Sequence, residues 1–227
     1  MKNIKVILIT LLMPAMLFGF GLKVPGLGKA EPAVSTAADA GGLQDALVRD
    51  YLTANSSIQK GQALLLEAFG KKQDVAKEEQ KQASISGKAS KDEVERQIAL
   101  TKEAQEAIAK SMEEGIELTE EGKAKYRESI PYMIQGAVGI SKLAQTASEF
   151  IDSSKNEIKS AGVMGAVKLK KKLDAGLFVA PKIPGLIGTT AKNAKGLITY
   201  GKKNKILKAD DQSGDALKVA DGPSVSK

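Results

Sequence analysis

From Gly42 onward apolar residues return every three or four positions almost without a break, the spacing that stacks side chains along one face of an α-helix. Leu43, Leu47, Tyr51, Ala54, Ile58, Leu65 and Phe69 make the first stripe and predict a helix over 43–69, with Gly70 suited to close it. Gly61 lies on that stripe, either as a point of close packing or as a weak spot costing up to about 1 kcal/mol against alanine. Residues 71–89 are polar, and their pattern leaves open whether they lengthen the first helix or loop back. Ser90-Lys91-Asp92-Glu93 has the form of a capping box. Val94, Ile98, Thr101, Ala104, Ile108, Met112 and Ile116 follow as a narrow stripe, with Asp92–Arg96 and Glu106–Lys110 expected as i,i+4 ion pairs on the wet side.

Thr119 reads as the next N-cap, with Glu120 and Glu121 complementing the helix dipole in the first turn. Pro131 is expected to kink or restart the helix so opened, because proline has no N–H for the preceding turn. Beyond it Tyr132, Met133, Ala137, Ile140, Leu143, Ala144, Ala147, Phe150, Ile151 and Ile158 cover a wide face, as befits a central helix surrounded by neighbours. Two more amphipathic segments are parted by residues 180–185. Ala166, Leu169, Leu173, Leu177 and Ala180 align in the first; Leu186, Ile187, Thr190, Ala194, Leu197 and Ile198 align in the second. No stretch joins β-branched enrichment to strict alternation, so no strand is predicted, and no 20–50-residue repeat points to a solenoid. The expected fold is all-α: an antiparallel bundle of long amphipathic helices followed by a basic, glycine-containing helical pair.

The first residues follow a different pattern. Lys2 and Lys5 precede an uninterrupted apolar run from Val6 to Phe20, and Gly19 and Gly21 are spaced as a signal peptidase requires. Residues 1–21 are therefore expected to be a cleaved signal peptide, with a later cut after Ala30 as the alternative. A membrane anchor fits less well, since a spanning helix needs about 20 apolar residues and a proline, Pro14, lies inside this run. The expected protein is exported, periplasmic or extracellular. Residues 22–41, rich in Gly, Pro and Ala, read as a flexible linker; 42–162 as the bundle; 163–208 as the basic helical segment packed on it; and 209–227 as a disordered tail.

Composition narrows the chemistry. The 227 residues include no cysteine, histidine or tryptophan, and only 4% are aromatic. Disulfides, thiolate metal sites, the commonest general base and the commonest metal ligand are all excluded. Ser57-Ile58-Gln59-Lys60 matches the S-x-x-K spacing of penicillin-recognising enzymes, but the companion S-D-N and K-T-G elements are missing. Gly196 to Lys203 approaches a phosphate-binding loop, with Lys203 where the hydroxyl should stand and no preceding strand. Glu113, Glu114, Glu120 and Glu121 are explained as helix-terminal acids; a di-iron bundle would need histidines. No catalytic residue, metal or cofactor is expected.

Charge is segregated. Between Lys155 and Lys208 thirteen lysines face only two acids, Glu157 and Asp174, while the whole chain carries +7. Lys168, Lys170, Lys171, Lys172, Lys192, Lys195, Lys202 and Lys203 lie off the apolar faces and are the candidate binding residues. Basic amphipathic helices of this kind suit an anionic surface such as lipid headgroups, lipopolysaccharide or a wall polymer. Nucleic acid is not expected, since stacking aromatics and arginines are nearly absent from the segment. Two other readings compete. In one, the lysines are a solvated face of a structural bundle, extended into coiled coil, that meets an acidic protein or a second copy. In the other, residues 161–201 insert and permeabilise a membrane, with Gly162/Gly165 and Gly185/Gly188 permitting close helix contact.

Overall fold

The computed structural model describes residues 39–71 and 90–208, all within the compact unit Ala37–Lys227. The expected signal peptide, most of the linker, the undecided stretch after residue 71 and the tail lie outside the described residues. Every regular element among those described is helical: α1 (Ala40–Ala68), α2 (Lys91–Glu113), α3 (Glu120–Ser160), α4 (Gly162–Lys172), α5 (Asp174–Val179), a 3-10 turn (Ala180–Lys182) and α6 (Ile183–Lys203).

Local chemistry sets the ends. Helix α1 starts three residues earlier than its apolar period suggests, because Asp39 caps it: the carboxylate accepts from the Gly42 N–H at 2.7 Å. Glu157 of α3 accepts from the Ala40 N–H at 2.6 Å, so two acids stand at the positive end of that helix. At the other end Gly70 takes φ +73, its N–H reaches the Glu67 carbonyl and that of Lys71 the Leu66 carbonyl, the double bond of a Schellman stop. Ser90 and Thr119 cap α2 and α3 through the N–H groups of Glu93 and Gly122. Helix α3 runs through Pro131 without restarting. Only the Arg127 carbonyl loses its partner there, and both residues are exposed.

Helices α1 and α3 share the longest interface and are antiparallel: Gly61 meets Met133, Gly136 meets Ala54 and Ile58, and Gly122 meets Ala68. A Cβ at Gly61 would lie 2.8 Å from the Met133 sulfur, one at Gly139 2.7 Å from the Ala54 Cβ, and one at Gly122 2.7 Å from the Ala68 carbonyl oxygen. Gly61 is thus a close-packing point. Helix α2 runs the same way as α1, held by a buried amide network. Asn55 Nδ2 donates to Gln97 Oε1 at 3.1 Å, Gln59 donates to the same oxygen, Thr101 Oγ1 donates to Asn55 Oδ1 at 3.0 Å, and Gln62 Nε2 donates to the Thr101 carbonyl at 2.8 Å. The pairs Asp92–Arg96 and Glu106–Lys110 do not form; exposed pairs on α2 include Lys102–Glu106 and Lys110–Glu114.

Helix α6 lies against α3 and also runs with α1, so among the described residues α3 is the one long helix pointing the other way. Phe69, Tyr126 and Tyr200 close the head of the bundle, where α1 ends and α3 begins, with ring centroids 6.0–6.2 Å apart. The Tyr126 hydroxyl donates to the Leu197 carbonyl at 2.7 Å. The foot, at the opposite end, holds the start of α1, the end of α3, α4 and α5. There Gly176 lies on the Phe150 ring, close enough that a Cβ would be 2.6 Å from it, and its N–H donates to Gln44.

Candidate functional site

All eight candidate lysines are exposed, four on α4 and four on α6. Lys168, Lys170, Lys171 and Lys172 sit on α4 at the foot, where the Lys172 carbonyl accepts from Gln44 near the start of α1. Lys192, Lys195, Lys202 and Lys203 follow one side of α6 up to the head. At 1.5 Å per residue, the 21-residue α6 separates its two ends by about 30 Å.

The two groups differ in what lies beneath them. Helix α6 buries Ile183, Ala191, Ala194, Leu197, Ile198 and Gly201 against the bundle, and its lysines are exposed. Helix α4 has no buried residue. Gly162, at φ +65, turns the chain out of α3, and on α4 Ala166 and Leu169 are half-buried. Its other side presents Val163, Met164 and Val167, which are 85%, 79% and 66% exposed and are the large hydrophobic side chains left most open among the described residues. Val163, Val167 and Lys170 or Lys171 are three or four apart, as are Met164, Lys168 and Lys171, so the apolar and basic side chains share one helical surface.

The two acids of the segment do not neutralise this surface. Glu157 is engaged with the α1 N-terminus, and no ion pair links exposed Asp174 to a described lysine. Lys182 instead covers the Phe178 ring at 4.5 Å, with Lys91 at 5.5 Å from the same ring. At the head, Lys125 pairs with Glu67 at 2.9 Å, a contact that raises the ammonium pKa; Glu120, hydrogen-bonded to Lys123, has its carboxyl pKa lowered.

Sequence reasoning picked out the α4 lysines but passed over Val163, Met164 and Val167. The signal was present: apolar positions between 161 and 173 fall on two faces, and only Ala166, Leu169 and Leu173 belong to the inward one. The glycines at 162, 185 and 188 approach no other helix, since a Cβ at any of them would meet nothing within 4 Å. No helix among the described residues is long and apolar enough to cross a membrane, and none of their His, Cys, Asp and Glu side chains converge in a group of three. Compared with family models, with curated proteins and with solved structures, the chain matches none.

Proposed function

We propose that the protein is an exported, non-enzymatic helical bundle that docks on an anionic envelope surface, with phospholipid headgroups as the principal target, through α4. The observation that carries this reading is the outward face of α4, where Val163, Met164 and Val167 stand exposed beside Lys168, Lys170 and Lys171. Exposed valine and methionine on a lysine-rich helix suit a bilayer interface: the apolar groups enter the acyl boundary while the ammonium groups meet phosphates. Each lysine near such a surface contributes about 1 kcal/mol, and full burial of each valine or methionine about 1.5 kcal/mol or more.

The α6 lysines fit a second role, the solvated side of a helix that packs most of its apolar residues on the bundle. This division gives a specific test. The chain lacking residues 1–21 is expected to co-sediment with phosphatidylglycerol vesicles, to be released by salt and to ignore phosphatidylcholine. Changing Lys168, Lys170 and Lys171 together to glutamine weakens binding by about two orders of magnitude; the same change at Lys192, Lys195, Lys202 and Lys203 has a much smaller effect. Binding indifferent to anionic lipid and to salt would end the proposal.

A further inference from the structure

Helices α2 and α6 flank α1 and α3 but scarcely touch each other, and a cavity of about 340 Å³ lies between them. Its inner wall is apolar, formed by Tyr51, Ile58, Met133 and Ile140, with Ile98 and Leu186 on the flanking helices. Tyr51 is buried, and desolvation raises its hydroxyl pKa, as expected of a dry wall. Exposed Lys102, Glu106 and Thr189 mark the mouth.

Two buried acceptors in this lining have no partner: Gln62 Oε1 and Gln105 Oε1. Gln62 is only 1% exposed. Its amide orientation is fixed, because Nε2 donates to the Thr101 carbonyl and reversing the amide would set two oxygens against each other. A buried acceptor left unpaired is costly, and the fixed Gln62 oxygen in an apolar cavity calls for a donor that enters from outside.

We infer that the cavity between α2 and α6 binds an uncharged medium-chain amphiphile, whose hydroxyl donates its one proton to the Gln62 carbonyl oxygen while its chain lies on Ile58, Met133 and Ile140. At about 30 Å³ per water-sized group, the space takes about eleven non-hydrogen atoms, the size of a nine- or ten-carbon alcohol. A carboxylate is disfavoured because it would bring acceptors to acceptors. The site is independent of the α4 surface and does not rest on the membrane reading.

Nonan-1-ol and methyl octyl ether are isomers that differ here in one respect, since only the alcohol donates. Ligand-observed NMR on the described chain is expected to give the alcohol about ten-fold tighter binding than the ether, with nonanoate weaker than both. Ile98→Trp, which fills the space, is expected to abolish binding of both. Equal affinities for alcohol and ether, no binding of the alcohol up to its solubility limit, or unchanged binding in folded Ile98→Trp would each overturn the inference.

Discussion

Glycine has opposite value at two positions of this chain. At Gly136 a Cβ would overlap the Ile58 side chain and lie 3.0 Å from the Ala54 carbonyl oxygen and 3.1 Å from the Ile58 nitrogen. Two of those three neighbours are backbone, so α1 itself would have to move. Gly136→Ala is expected to destabilise by about 1–3 kcal/mol, read from the urea midpoint. On α6, Gly188 is helical and exposed with nothing near its Cβ direction. Gly188→Ala is expected to stabilise by up to about 1 kcal/mol, because alanine restricts the unfolded chain at no steric cost. The periodicity placed Gly61 on the packed stripe but gave no reason to single out Gly136 or Gly139. A missing side chain leaves no hydrophobic signal, and its meaning appears only when a partner helix is in place.

At the scale of elements, apolar period fixed the helices well and their partners poorly. The stripe Leu47, Tyr51, Ala54, Ile58, Leu65 is buried as expected, as are Val94, Ala104 and Ile108 on α2. Asn55, Gln59, Gln62 and Gln97 are buried beside them, and a hydropathy pattern counts each as polar and outward. They become inward residues only because α1 and α2 supply one another's hydrogen-bond partners. Gln97→Leu keeps the shape but takes away the acceptor of Asn55 Nδ2, and it is expected to cost about 1–3 kcal/mol in chemical denaturation. An unchanged midpoint would mean the network adds nothing to stability. Helix α4 shows the converse limit. Its inward residues follow the helical period, yet Val163, Met164 and Val167 also occupy helical spacing on the outside, and periodicity alone cannot say which of two stripes is covered. The break at Leu173, which turns one expected segment into α4 and α5, was likewise invisible in the pattern.

For the molecule as a whole, one long helix, α3, runs against α1, α2 and α6, and buried Tyr126 fastens its head end to α6. Burial raises the hydroxyl pKa of Tyr51 and of Tyr126 above the ordinary value near 10. The unfolded chain therefore loses these protons first as pH rises. Their contribution to stability is intact below about pH 10 and falls above it. Alkaline titration of the unfolding midpoint is expected to show a decline beginning near pH 10, smaller in Tyr126→Phe, which cannot ionise. An equal decline in that variant would remove Tyr126 from the explanation.

The central claim is that the exposed face of α4 enters an anionic interface. The natural chain contains no tryptophan, so Val167→Trp supplies a single fluorophore on that face without touching a buried contact. Its emission is expected to shift to the blue and to resist acrylamide quenching when phosphatidylglycerol vesicles are added, and to do neither with phosphatidylcholine. A spectrum unchanged by anionic vesicles, in a variant that remains folded, would contradict the account.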